Sequence, residues 1–241
     1  MIKKFFYVFI LILFSVPVFS EHSYNVYSTD NIDSIANPNN YEKILFIVDL
    51  SNSMNEYIGN YKKIDIAINA FATIASKISS KVQTGLRVYG HKFGFNPMLG
   101  CTATELISPI KENNTYNIYN ILSGMRANGW TPITKSLKNA VNFDFAGING
   151  KKRIILLTDG GENCDESPCD YAIQLVQNRD DIRIDVIEFA INDYEADAQL
   201  KCTALTTSGK LYKANDAESL ARSLDNALEF STDVQGTIIK K

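Results

Sequence analysis

The segment ILFIVDLSNSM, residues 44–54, places oxygen-bearing side chains at alternate positions directly after an apolar run. The carboxylate of Asp49 and the hydroxyls of Ser51 and Ser53 are hard oxygen donors of the kind that Mg²⁺ prefers. An apolar run that ends in a small polar cluster predicts a strand buried on both faces, followed by a loop at the carboxyl edge of a sheet. We therefore expect these oxygens at the edge where open α/β sheets usually bind ligands.

Two later segments add donors that the predicted fold would bring to the same edge. RIILLTDGGEN predicts a second buried strand that ends near Asp159, and GWTPIT contains Thr131 directly before Pro132. Two carboxylates and three hydroxyls favour a divalent cation with near-octahedral oxygen geometry and room for an oxygen from a partner. Thr131 is the most ambiguous of the five, because a helix N-cap ahead of Pro132 explains it without a metal.

Strands and helices alternate along the chain that would position these donors. This order predicts a doubly wound α/β fold with a mostly parallel sheet, helices on both faces and an antiparallel edge strand that contains Pro109. The predicted strands are ILFIVD, TGLRVYG (84–90), ELISPI (105–110), RIILLT, IRIDVIEFAI (182–191) and GKLYKA (209–214), and the predicted helices cover 62–79, 115–126, 133–143, 169–179, 194–207 and 216–230.

Five positions in this order resemble the metal-ion-dependent adhesion site of von Willebrand factor type A domains. They are Asp49-x-Ser51-x-Ser53, Thr131 of GWTPIT and Asp159 of LLTDGGE. The stretches GLRVYGHKFG, GCTATEL, GWTPITKSLKNA and DGGENCDESPC also resemble a group of secreted bacterial type A domain proteins. The resemblance covers roughly residues 43–230 and implies the Rossmann-like fold of that family.

The resemblance implies a role for each of the five residues. Ser51, Ser53 and Thr131 would contact Mg²⁺ or Mn²⁺, Asp49 would act mainly through water or hydrogen bonds, and Asp159 would act from the outer shell. A protein partner would supply an Asp or Glu side chain as the sixth ligand. The expected function is metal-dependent adhesion or assembly rather than catalysis. A metal-free structural subunit of a surface assembly and, behind it, a metal-assisted hydrolase are the alternatives.

The sequence offers little for an enzyme. His91 and His22 are its two histidines, and it contains no G-x-S-x-G elbow, no H-E-x-x-H zinc motif and no phosphate-binding G-x-x-x-x-G-K-[ST] loop. We expect His91 to be a loop residue at the rim of the site. Trp130 is expected to pack under the loop, with contact to a partner as the alternative.

A cluster of acidic residues follows Asp159 and could hold a second cation such as Ca²⁺. However, the cluster lacks the spacing of an EF-hand loop, so a solvated acidic loop stapled by Cys164 and Cys169 is the expected structure. The acidic residues are Glu162, Asp165, Glu166 and Asp170.

The first twenty residues have the features of a signal peptide. Lys3 and Lys4 precede an apolar stretch over 5–14, and the segment ends in small residues. The mature protein is thus expected to be secreted or periplasmic without inserting in a membrane, although retention of the segment as a tether is the alternative. Residues 21–42 are predicted to be a polar linker, and 231–241 a tail or a terminal strand.

The charge and composition exclude one class of partner. Removal of the signal peptide takes away two lysines and no acidic residue, which changes the formal net charge from −3 to −5. A nucleic-acid-binding protein would carry a basic patch, so no nucleic acid is expected as a partner. The hydrophobic content of 45% suits one domain with a sizeable core, while the oligomeric state is left open.

The four cysteines follow the signal peptide, where disulfides are permitted. Their spacing does not match a zinc site, so two bridges are expected. Three pairings are possible and the sequence does not choose among them. Cys164–Cys169 with Cys101–Cys202 is the pairing that we favour at this point.

Overall fold

The computed structural model describes residues 42–93 and 96–229, and the central strand of its main sheet is β1, Lys43–Asp49. All seven residues of β1 are buried. Ile44, Phe46 and Val48 face one apolar layer, while Leu45 and Ile47 face the other. A strand covered on both faces has no solvated side, which explains why its sequence is a continuous apolar run.

Within the described residues, the main sheet has six strands and a separate hairpin has two. The hairpin pairs β2, Tyr57–Ile58, with β3, Tyr61–Lys62. In the main sheet the order is β5-β4-β1-β6-β7-β8, and all neighbours are parallel except β4 and β5. The remaining strands are β4, Gln83–Tyr89; β5, Thr104–Lys111; β6, Lys152–Thr158; β7, Ile182–Phe189; and β8, Leu211–Ala214. The predicted doubly wound fold and its antiparallel edge strand with Pro109 are confirmed.

The described residues form seven α-helices, and six of them cover the two faces of the sheet. The apolar side chains of α1, α3 and α7 join the layer on one face, and those of α4, α5 and α6 join the layer on the other. The sequence did not predict the short α2 or the hairpin, because neither is long enough to show a period. The helices are α1, Lys63–Ala75; α2, Pro97–Gly100; α3, Thr115–Ser123; α4, Ile133–Asn139; α5, Pro168–Asn178; α6, Tyr194–Thr206; and α7, Ala217–Glu229.

The start of α4 differs from the prediction that Thr131 caps it. Pro132 occupies the N-cap position and makes no side-chain cap hydrogen bond, and Thr131 is therefore not the capping residue. The helix also changes to a π-helical segment over Ala140–Asp144, so the predicted helix over 133–143 is not one regular α-helix. Helix capping therefore does not explain the hydroxyl of Thr131.

The favoured disulfide pairing is wrong, although the expected number of bridges is confirmed. The structure pairs Cys101 with Cys164 and Cys169 with Cys202, with Cα–Cα distances of 5.5 and 5.3 Å. Cys101 and Cys164 follow α2 and β6, on loops at the same edge of the sheet. Cys169 lies in the first turn of α5 and faces α6, which contains Cys202. The tertiary packing of these elements sets the pairing, and no sulfur is left for zinc.

Both ends of the chain lie outside the residues that the structure describes. The predicted signal peptide, the predicted linker up to residue 41 and the segment 231–241 all lie outside the described residues. Between residues 42 and 229, the described helices include none that is both long and apolar enough to cross a bilayer.

Peptide mapping under non-reducing conditions tests the corrected pairing. We expect one linked peptide pair that contains Cys101 and Cys164 and another that contains Cys169 and Cys202. A peptide pair linking Cys101 to Cys202 would contradict the structure.

Replacing both cysteines of either bridge by Ser should lower the free energy of unfolding by about 2–4 kcal/mol, measured in urea without reductant.

Candidate functional site

The turn that follows β1 is organised by the carboxylate of Asp49. Its Oδ1 accepts a hydrogen bond from the backbone N–H of Ser51 at 2.6 Å, and its Oδ2 accepts one from the hydroxyl of Thr158 at 2.8 Å. The first bond closes a turn of the kind that Asp side chains favour, and the second joins β1 to β6. Asp49 is completely buried, so its two hydrogen bonds hold the turn from the core side of the sheet edge.

The side-chain oxygens of Ser51, Ser53 and Asp159 form a chain of hydrogen bonds at this turn. The hydroxyl oxygens of Ser51 and Ser53 are 3.0 Å apart, and Ser53 Oγ donates to Asp159 Oδ1 at 2.7 Å. Leu50 and Met54 are fully buried, so the neighbouring apolar residues pack into the core. The alternation seen in the sequence thus separates oxygen donors from core residues.

Thr131 reaches this edge on the loop between α3 and α4. Two residues before it, Gly129 forms a parallel bridge with Ser51, and its carbonyl accepts from Asn52 N at 2.9 Å. A Cβ on Gly129 would lie 2.6 Å from the carbonyl oxygen of Lys92, so this close approach requires glycine. The loop is therefore held against the turn that contains Ser51 and Ser53, here called the serine turn. Thr131 is buried beside this turn.

The chemistry of the gathered side chains is that of hard oxygen ligands. The structure links Asp49, Ser51, Ser53 and Asp159 by hydrogen bonds and places the Thr131 loop against them. Throughout the described residues there is no group of three or more His, Cys, Asp or Glu side chains placed to hold a metal. Hydroxyls with few carboxylates fit a hard divalent cation that keeps waters in its shell.

A known family shares this order of elements and residues. The model of the von Willebrand factor type A domain matches residues 43–226. The chain belongs to this family. The resemblance on which the sequence interpretation was based is thereby confirmed at the level of the family and its fold.

Two curated relatives of this type A domain come from Bacillus subtilis (strain 168). The uncharacterized protein YwmD is 28% identical over 195 residues, which cover 79% of this chain and 86% of YwmD. The uncharacterized protein YwmC is 30% identical over 178 residues, which cover 71% of this chain and 76% of YwmC. Neither relative has a described activity in its name.

One solved structure of the same fold is described with a metal at a motif of its own. It is proximal thread matrix protein 1 from the mussel byssus, described with zinc in its metal-ion-dependent adhesion site (MIDAS) motif. The similarity has a TM-score of 0.61 at 18% identity and covers 79% of this chain and 46% of the mussel protein. At this identity the similarity shows the fold alone.

A lysine that the sequence analysis missed lies inside the candidate site of this type A domain. The ammonium of Lys63, at the start of α1, is 2.9 Å from Asp159 Oδ2 and 2.8 Å from Glu56 Oε2. Lys63 and Asp159 are both buried. Burial alone would lower the pKa of Lys63, but the hydrogen bonds to Glu56 and Asp159 raise it above its usual value. The ammonium therefore stays charged and compensates the Asp159 carboxylate.

The loop after β6 supports Thr131 through side chains whose role the sequence did not reveal. Asn163 Oδ1 accepts from the backbone N–H of Thr131 at 2.7 Å. Glu162 accepts from the N–H groups of Thr134 and Cys164 at 2.7 and 3.0 Å, so its carboxylate satisfies an orphan donor in the first turn of α4. Glu162 is thus a structural brace rather than part of a solvated acidic cluster.

The other acidic residues of this loop are arranged differently from the prediction. Asp165, Glu166 and Asp170 are exposed, as expected for a solvated loop. No disulfide staples this loop to itself, because Cys164 is bound to Cys101. The loop is instead tied to the residues that follow α2. Its exposed carboxylates give this side of the rim a negative character.

Two titratable groups near the turn have perturbed pKa values. Burial raises the pKa of Asp49 to about 6, and the charge of Asp159 adds to the shift, while hydrogen bonds from Ser51 and Thr158 oppose it. Burial and the neighbouring Asp49 also raise the pKa of Tyr89 well above its usual value. Low dielectric surroundings at the floor of the site are the common cause.

His91 lies at the rim and contacts a residue of β5. Its Nε2 is 3.2 Å from Glu105 Oε2, and Glu105 also binds Lys92. Burial lowers the pKa of His91 although Glu105 opposes the shift. The nearest described partners of the imidazole therefore belong to β5 and its flanking loop rather than to the serine turn, and no Ser-His-Asp geometry is formed by these contacts.

Trp130 is packed, as predicted. A Cβ on Gly100 would lie 2.0 Å from Trp130 Cδ1, which shows how closely the indole lies against the end of α2. This contact attaches α2 to the loop that contains Thr131. The bridge from Cys101 to Cys164 attaches it to the loop after β6, which contains Asn163.

A third buried carboxylate, after those of Asp49 and Asp159, lies at the same edge of the sheet. Glu188 is near the end of β7, next to Thr158 in register, and its Oε2 is 3.6 Å from Lys213 Nζ. Burial raises the pKa of Glu188 to about 7, and the neighbouring Asp197 adds to the shift, while Lys213 opposes it. Ionised Glu188 is therefore costly for the fold near neutral pH.

Removing the ammonium of Lys63 should destabilise the protein. Lys63→Met leaves the buried carboxylate of Asp159 without its cation, so we expect the free energy of unfolding in chelator to fall by about 3 kcal/mol. Urea denaturation measures the change. Lys62→Met, which alters the adjacent and partly exposed lysine, is the control and should change stability by less than about 0.5 kcal/mol. Equal stability of the Lys63 variant and the wild type would contradict this role.

The stability of the fold should depend on Glu188 in a defined pH range. A folded pKa above the ordinary 4.5 means that the stabilising contribution is complete below pH 4.5 and is lost as the pH rises to about 7. Between about pH 5 and about pH 8, Glu188→Gln should therefore gain about 2 kcal/mol relative to the wild type. Urea titrations across this range test it. The control is Glu195→Gln, at an exposed position of α6, whose free energy of unfolding should differ from that of the wild type by the same amount at every pH. If the difference between Glu188→Gln and the wild type is also independent of pH, the raised pKa of Glu188 is excluded.

Proposed function

We propose that this type A domain is a metal-dependent binding module that holds Mg²⁺ or Mn²⁺ and, through the cation, an acidic residue of a protein partner. The observation that carries the proposal is the continuous set of oxygens from Ser51 to Ser53 to Asp159, with distances of 3.0 and 2.7 Å. The Thr131 loop lies against this set. The protein would act as a secreted or periplasmic adhesion or assembly factor rather than as an enzyme.

Each of the five residues has a role in this proposal. The hydroxyls of Ser51, Ser53 and Thr131 would hold the cation directly. Asp49 positions the turn through Ser51 N, and Asp159 orients the hydroxyl of Ser53. When bound, the cation would supply a Lewis-acidic position for a carboxylate from outside. Few anionic protein ligands leave such a cation with a strong attraction for that carboxylate.

Lys63 would tune this site. Its charge lies 2.9 Å from Asp159 and compensates one of only two carboxylates among the five residues. A cation that enters must tolerate this ammonium, which weakens the attraction of the protein itself for the cation. The carboxylate of the partner then contributes a larger share of the binding free energy of the ternary complex. The proposed affinity for metal alone is accordingly modest.

Calorimetric titration with Mg²⁺ and Mn²⁺ tests the proposal. We expect one ion per protein, a loss of more than about 100-fold in affinity for Ser51→Ala with Ser53→Ala, and about 10–100-fold for Asp159→Ala. Ser76→Ala, which alters an exposed hydroxyl at the end of α1, is the control and should bind as the wild type does. Wild-type affinity in the double serine variant would refute the proposed ligands.

A metal-free structural subunit of a surface assembly is the second candidate, and one observation favours it. Lys63 already supplies a positive charge to Asp159, so the cluster is compensated by the chain itself. In that case Mg²⁺ and Mn²⁺ give no binding heat, and chelator leaves the thermal unfolding temperature unchanged. Binding of one ion with the expected loss in the variants would exclude this candidate.

A further inference from the structure

The short helix α2 exposes two adjacent apolar side chains at the rim of the site. Met98 is 80% exposed and Leu99 is 59% exposed. Exposed apolar pairs also occur elsewhere in the described residues, with Ile173 and Val176 on α5 and Tyr57 and Tyr61 in the hairpin. Met98 and Leu99 differ from these because they directly precede Gly100, which contacts Trp130 beside Thr131, and exposed apolar area beside a candidate binding site is typical of an interaction surface.

The exposed pair is fixed rather than loosely attached. Asn96 Oδ1 accepts from Leu99 N at 2.9 Å and caps α2, which begins with Pro97. Gly100 lies directly against the indole of Trp130, and Cys101 is bound to Cys164. The contact with Trp130 and the disulfide both attach the carboxyl end of α2, so the side chains beside them lose less backbone freedom when a partner binds, which favours affinity.

Both braces lead directly to the support of Thr131. Trp130 is the residue before Thr131, and Cys164 is the residue after Asn163, whose side chain accepts from Thr131 N at 2.7 Å. The apolar pair is therefore attached directly to the loops that position the proposed metal ligand Thr131. A partner whose carboxylate reaches the metal would meet Met98 and Leu99 close to that point.

The charges of the rim favour an approach from this side. The loop after Cys164 exposes Asp165, Glu166 and Asp170. Glu166 is paired with Lys138 at 2.9 Å, so Asp165 and Asp170 are the carboxylates of this loop that repel an acidic segment, within about a Debye length, roughly 8–10 Å in physiological salt. On the α2 side, residues 96–104 contain no acidic residue, and Glu105, which follows, is paired with Lys92 at 2.5 Å. An acidic partner segment is therefore directed over α2.

We propose that Met98 and Leu99 form an apolar contact surface that selects protein segments in which the metal-binding Asp or Glu is flanked by an aliphatic or aromatic residue. This inference rests on the proposed function, because it assigns the partner chemistry of the same site. The carboxylate supplies the bond to the cation, and the flanking side chain covers the α2 pair. Recognition thus depends on two neighbouring residues of the partner.

A displayed library of short peptides with a fixed central Asp and random neighbours tests this inference. The purified protein, expressed from the full-length chain, is immobilised in Mg²⁺, and bound peptides are eluted with EDTA. We expect an enrichment of aliphatic or aromatic residues beside the Asp. Met98→Ser with Leu99→Ser should bind the selected peptides about tenfold or more weakly. Its calorimetric affinity for Mg²⁺ should equal that of the wild type.

The control is Ile173→Ser with Leu205→Ser, which removes two exposed apolar side chains from α5 and α6. It should bind the selected peptides as the wild type does. Selected peptides without an apolar preference, or equal binding by the Met98 and Leu99 variant, would overturn the inference. The inference would also be overturned if calorimetry shows bound Mg²⁺ but no peptide is eluted with EDTA. The metal site would then remain supported without the apolar contact surface. Absence of Mg²⁺ binding in the wild type would instead refute the proposed function.

Discussion

The hydrogen bonds accepted by the buried carboxylate of Asp49 are the constraint on which the rest of the site depends. One oxygen holds the backbone of the serine turn and the other holds Thr158 at the end of β6. A buried carboxylate must have such partners, because an unpaired one would be too costly in an apolar core. The turn is thus locked to two adjacent parallel strands, and the positions of Ser51 and Ser53 follow from that lock.

The main features of the fold could be predicted because they depend on local patterns. Burial of β1 on both faces gives a continuous apolar run, and the helix that follows shows Ile64, Ala67 and Phe71 at helical spacing. The positions of Asp49 and Asp159 were also predictable, since residues that end parallel strands gather at one edge. These inferences need only the period of a segment and the direction of the chain.

Features that depend on contacts between distant segments could not be predicted. Lys63 lies 96 positions before Asp159, and nothing in its sequence surroundings distinguishes it from Lys62. The disulfide pairing depends on how α5 packs on α6 and how α2 approaches the loop after β6. Asn163 resembles any polar loop residue until the fold brings it to Thr131. In each case the deciding interaction is tertiary, and a short window of sequence does not contain it.

The contacts around Thr131 and the charge of Lys63 order the candidate site within the protein itself. Asn163, the packed Trp130 and the bridge from Cys101 hold the loop without any contribution from a ligand. Lys63 compensates Asp159, so the carboxylate is satisfied in the protein alone. Under the proposed function, binding of a cation and a partner would then require little reorganisation of the backbone. The free energy of association would be determined mainly by the incoming carboxylate and by the surfaces that flank it.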